Sequence, residues 1–168
     1  MPRRDSGREG AIVDEETFTF ITELETRKAN RLHYVVSVLA ILPDAEGDGE
    51  IRNPRSLAEE LAGVVSLLIR GTDLIRLPAP SPTLHVLLVD ARLEHLHVVI
   101  RRITEEVSQR LFETNGEDKA VRLSVGGACF PTTAGTSQDL LNQADTLARE
   151  ARRDQVGRLR YKLPGSTR

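Results

Sequence analysis

Few residues in this chain of 168 could do chemistry, and their types and spacing limit what that chemistry is. His85, His95 and His97 suggest a metal cluster by type. His95 and His97, however, lie two apart in a helical pattern and point to different faces, so they read as solvated or partly packed side chains. Asp44, Glu46, Asp48 and Glu50 are the one cluster of carboxylates available near the strand ends, and it falls in a loop-like stretch. Arg70 and Asp73 place a guanidinium and a carboxylate three apart at the end of a helical segment. Without any ligand, Arg70 would complement the helix dipole and Asp73 would cap or pair locally. Gly126-Gly127 has the composition of a phosphate-cradling loop but sits mid-strand, where close helix-to-sheet packing is the better reading. Arg149, Arg152, Arg153, Arg158 and Arg160 alternate with Glu150 and Asp154, the pattern of a solvated face. The single cysteine, Cys129 beside Phe130, excludes an internal disulfide and reads as a small core residue.

Composition sets the frame for these side chains. At 39% hydrophobic and 29% charged, the chain has the mix of one compact domain with a sizeable core. A formal charge of −2 argues against binding a nucleic-acid polymer, which calls for a basic excess. Only Lys28, Lys119 and Lys162 among the 23 basic residues are lysines. That arginine use fits either coding bias or planar recognition of phosphates and carboxylates. No apolar run is long enough to span a membrane, and Met1-Pro2-Arg3-Arg4-Asp5 leads into no signal-like segment, so the expected address is the cytoplasm.

The elements that must position these residues follow from periodicity. Residues 1–13 read as a flexible leader and 164–168 as a flexible tail around one domain at 14–163. Phe18, Ile21, Leu24 and Ala29 recur at helical spacing between Asp14 and Leu32. Tyr34 to Leu42 is apolar at nearly every position, the mark of a strand covered on both faces, and Pro43 to Glu50 reads as a loop. Asn53-Pro54 starts a second helix striped by Leu57, Leu61, Val64, Val65 and Leu68. Leu74–Leu77 and Leu84–Val89 are strands around a proline-rich break, and Asp90 is placed to cap a third helix striped from Leu93 to Leu111. Asn115-Gly116 makes a turn, Val121 to Phe130 a strand, and Thr136 or Ser137 caps a last long helix before a closing strand at Arg158–Leu163. About five strands and four helices predict an α/β (α+β) fold: a central, mostly antiparallel sheet with helices packed on its faces.

Four motifs then coincide in order. Val125-Gly126-Gly127-Ala128-Cys129-Phe130-Pro131, followed by Leu140-Leu141, Ala144-Asp145 and Ala151-Arg152, resembles the C-terminal third of GGDEF domains, the diguanylate cyclase family. Arg70-Gly71-Thr72-Asp73-Leu74 is similar to that family's R-x-x-D-L, and Leu84-His85-Val86-Leu87-Leu88-Val89-Asp90 to the strand after its signature hairpin. The resemblance covers about Asp14 to Tyr161 and implies the ferredoxin-like, nucleotide-cyclase-like GGDEF fold.

The same resemblance implies what has been lost. Where the family carries Gly-Gly-Asp/Glu-Glu, this chain has Pro80, Ser81, Pro82 and Thr83, with neither glycine nor carboxylate. The family's Asp-x-Asp on the first strand falls at Val38 and Ala40 when counted back from Arg70; Asp44 lies beyond Pro43, a shift expected to take it off the strand. The guanine and ribose loop, mapped onto Leu42 to Arg55, keeps only an acidic and glycine-bearing composition. Phosphoryl transfer on GTP depends on carboxylate-held metal and on positioning, so the chain is expected not to be an enzyme and to hold no cofactor or metal. A residual enzyme acting on GTP would have to draw on Asp44, Glu46, Asp48 and Glu50.

What the resemblance implies as retained is an inhibitory-type site for cyclic di-GMP at Arg70 and Asp73, with Arg102 of the third helix chosen over Arg101 as the additional arginine. An arginine fork can engage guanine O6/N7 or phosphate, and a carboxylate can accept from guanine N1 and N2. The expected function is a catalytically inactive regulatory module in bacterial second-messenger signalling that binds cyclic di-GMP there. The alternative is an adaptor that docks a protein partner without a nucleotide, and the resemblance allows a homodimer.

Overall fold

A computed structural model describes residues 9–45, 54–77, 83–114, 116–154 and 160–165. Its elements are β1 (Ala11–Val13), α1 (Glu15–Leu32), β2 (Val36–Ala45), α2 (Pro54–Ser66), β3 (Leu74–Arg76) and β4 (Leu84–Val89), then α3 (Leu96–Ser108), β5 (Phe112–Thr114), β6 (Glu117–Lys119), β7 (Val121–Phe130), α4 (Ser137–Asp154) and β8 (Arg160–Lys162). Six strands form one sheet in the order β1-β3-β4-β2-β7-β8, and β5 and β6 make a separate hairpin. The inner pairs are antiparallel and the two outermost, β1 with β3 and β7 with β8, are parallel.

The central strand β2 shows why its sequence is apolar at almost every position. Successive side chains of a strand point to opposite faces. Leu39 and Ile41 join the core under α2 and α3, while Val36, Val38, Ala40 and Leu42 join the core under α1 and α4. Both faces are covered, so alternation with polar residues never develops.

Several local expectations change in the folded chain. Residues 11–13, read as leader, form β1, which pairs Ala11 with Leu74 and Val13 with Arg76. In α1 the buried stripe is Phe18, Thr22, Thr26 and Ala29, and Leu24 is exposed. Two threonines can face the core because their hydroxyls donate to carbonyls of their own helix, Phe18 O and Glu23 O. Asp90 caps no helix: it takes a left-handed conformation (φ 58°) and its amide donates to Val35 O, while a 3-10 turn at Leu93–His95 leads into α3. The α3 stripe ends at Val107, and Leu111 lies exposed past the helix end. Short strands that periodicity missed, β1, β5 and β6, span three residues each, too few to display a period.

Candidate functional site

Two regions decide what the fold can do: the end of the sheet where the resemblance puts a metal site, and the turn after α2 that carries Arg70 and Asp73. At the first, Val38 and Ala40 are fully buried between the sheet and the helices α1 and α4. No carboxylate stands at either position. Pro80, Ser81 and Pro82 lie outside the described residues, as do Glu46, Asp48 and Glu50; Thr83 is half-buried just before β4. Among the described residues, no group of three or more His, Cys, Asp or Glu side chains is placed to hold a metal ion.

Asp44 corrects an expectation. It lies on β2, opposite Arg122 of β7, because the ladder to β7 continues through Pro43 to Ala45. Proline is tolerated there since the pairing of β2 with β4 stops at Ile41, leaving β2 with one neighbour beyond that point among the described residues. The Asp44 carboxylate is held by Arg152 of α4, with Nη2 and Oδ1 2.7 Å apart. It therefore joins strand to helix.

At the second region the Asp73 carboxylate is almost completely enclosed. Its Oδ2 accepts from the Arg70 amide and its Oδ1 from the Val89 amide, both at 2.9 Å. Burial pushes this carboxyl above its ordinary value, against the pull of those two amides and of the Arg70 guanidinium. Arg70 itself is exposed: Nε lies 3.9 Å from Asp73 Oδ2 and one Nη donates to Val89 O at 3.0 Å. The expected acceptor for guanine is thus occupied by backbone amides, while the expected guanidinium faces solvent. Arg101 and Arg102 are both exposed on α3, and no hydrogen bond or ion pair among the described residues joins Arg102 to Arg70 or Asp73.

The other candidates divide similarly. Gly126 supports the packing reading, because a Cβ there would stand 2.2 Å from both Ala144 O and Ala148 N of α4. Cys129 is buried in the core. His95 and His97 are exposed, but His85 is buried with Nε2 2.6 Å from Asp145 Oδ1. Sequence reasoning missed that pair, since its members lie sixty residues apart and only the meeting of β4 with α4 joins them. The solvated basic face holds for Arg149 and Arg153, both exposed, and Arg158 lies outside the described residues.

No protein-family model and no curated protein matches the sequence. Solved structures do. The GGDEF domain of YfiN (TpbB) from Pseudomonas aeruginosa superposes with a TM-score of 0.76 at 19% identity, covering 90% of this chain and 95% of that one. The GGDEF domain of DgcB from Caulobacter crescentus, in complex with c-di-GMP, gives 0.75 at 16% identity over 99% of this chain and 97% of that one. Diguanylate cyclase SiaD of Pseudomonas aeruginosa, in complex with its activator SiaC, gives 0.69 at 20% identity over 84% and 55%. The chain has the fold of GGDEF domains.

Proposed function

We propose that this chain is a GGDEF-fold regulatory module of cyclic di-GMP signalling that does not turn over GTP. The observation that carries the reading is that Val38 and Ala40, where the count back from Arg70 puts the family's metal carboxylates, are buried apolar side chains, while Asp44, the carboxylate the strand does carry, is committed to Arg152. Metal and positioning supply nearly all of the catalysis in phosphoryl transfer. A strand whose side chains there are core hydrocarbon offers neither.

The module then acts by binding. The enclosure of Asp73 favours docking of a protein partner over recognition of guanine, because the residue is only 1% exposed and its carboxylate is turned inward onto two backbone amides. Among structural neighbours, SiaD is bound to an activator protein, which supports such a role for this fold. The exposed Arg70 guanidinium supports the second reading, cyclic di-GMP held by Arg70 and Arg102, with Asp73 fixing the turn.

Calorimetric titration of the protein and of Arg70→Ala with cyclic di-GMP, beside GTP turnover assays in Mg²⁺ and Mn²⁺, separates the readings. The expected result is no dinucleotide product and no Arg70-dependent binding. Saturable binding abolished in Arg70→Ala would establish the second reading. Dinucleotide formed from GTP would overturn the proposal as a whole.

A further inference from the structure

Helix α1 turns toward solvent a face that the core does not explain. Its buried stripe leaves Phe20 and Leu24 on the outer side, 63% and 41% exposed and one turn apart. The charges around them are sorted by sign. Glu16 and Glu23 lie exposed in the first half of the helix, and Arg27 and Arg31 in the second. Glu15 is committed to Arg76, and Glu25 to Lys28 and the Tyr34 hydroxyl. The side chains of Glu16, Glu23, Arg27 and Arg31 meet no hydrogen-bond or ion-pair partner among the described residues.

Reversed end to end, this face is its own complement. The midpoint of α1 falls between Glu23 and Leu24. A second helix of the same sequence, laid antiparallel across that midpoint, sets Glu16 opposite Arg31 of the second copy at both ends. Phe20 then stands opposite Arg27 of the second copy, whose guanidinium can lie on the ring with Glu23 one turn further along. The two Leu24 side chains flank the axis. A parallel copy would instead set Glu16 against Glu16 and Arg31 against Arg31, which repels.

We propose that the outer face of α1 docks a second copy of this chain, helix against helix and antiparallel, with no nucleotide between them. A contact along one helix of about 27 Å is small beside standard interfaces of about 1,600 Å², which makes this dimer weak and reversible. Its apolar centre supplies attraction. Its solvent-open ion pairs add little affinity each but fix direction and register, and salt screens them. The surface uses neither Arg70 nor Asp73, so it stands or fails separately from the cyclic di-GMP and adaptor readings.

Sedimentation equilibrium of the nucleotide-free protein over a range of concentrations tests this. The expected result is a reversible monomer–dimer equilibrium that shifts toward monomer in about 1 M salt, where the screening length falls to about 3 Å. Glu16→Arg and Arg31→Glu should each self-associate about tenfold more weakly, because each sets like charges opposite at both ends. Mixed in equal amounts, the two variants should associate as wild type does, since each then meets the opposite sign at both ends; that recovery also shows both to be folded. Arg70→Ala should dimerise as wild type does. A protein monomeric at every concentration, single variants with undiminished association, a mixture that stays monomeric, or loss of the dimer in Arg70→Ala would each overturn the proposal.

Discussion

Asp73 ties the end of α2 to the end of β4 through two backbone amides, at Arg70 and Val89. An acceptor removed from such a place leaves a buried N–H unpaired, at a cost of about 1–3 kcal/mol. Because burial raises its carboxyl above the ordinary 3.8, the folded chain keeps the Asp73 proton to higher pH than the unfolded chain does. Stability from this group is therefore fully present below the unfolded value and is lost as pH rises through the folded one. Asp73→Asn has no such titration. Urea unfolding from about pH 4 to about pH 7 should show wild type more stable throughout, with the gap narrowing as pH rises; a constant or widening gap would refute the assignment. The sequence displays Arg70 and Asp73 as neighbours, and in that respect the turn is legible. It cannot display Val89, sixteen residues on, which is what encloses the carboxylate. The same blindness to distant partners hid His85 and Asp145.

At the scale of elements, legibility follows how much each one repeats. The long strands β2 and β7 and the helix α4 carry patterns over ten residues or more and form where periodicity puts them, except that β2 runs on through Pro43 to Ala45, residues whose composition reads as loop. Helix α1 forms too, yet its buried face is turned, because Thr22 and Thr26 satisfy their hydroxyls internally and pass as apolar. The seat of α4 on β7 depends on one missing side chain. At Gly126 an added Cβ would meet helix backbone, Ala144 O and Ala148 N, and neither can swing aside as a side chain would. Gly126→Ala should lift α4 from the sheet and cost about 3 kcal/mol, the upper end of ordinary overpacking. Gly135→Ala, where a Cβ meets nothing within 4 Å, should stay within about 0.5 kcal/mol of wild type. Chemical denaturation of the two variants compares them directly, and equal stabilities would count against the close packing of α4.

For the whole molecule, the question is where the folded unit begins. Periodicity places the start at Asp14, the cap of α1, whose carboxylate does accept from the Thr17 amide at 2.8 Å. The sheet begins earlier. Gly10 N–H donates to Ser66 O and Ala11 N–H to Asp73 O, so the chain entering α1 is stitched first to the end of α2 and then along β3. A parallel edge strand of three residues has neither length nor alternation to reveal it, and only its pairing with β3 makes it a strand. It matters because β3 is itself three residues long and would otherwise form the edge of the sheet, with Arg76 and its ion pair to Glu15 at the rim. Removing residues 1–13 should therefore uncover β3 and part of the core around Ile69, whose side chain packs over Gly10. A loss of about 2 kcal/mol in a domain of this size lowers Tm by roughly 4–8 °C. Differential scanning calorimetry of the shortened and full chains measures it. An unchanged Tm would return residues 11–13 to the leader and put the boundary of the folded unit back at Asp14.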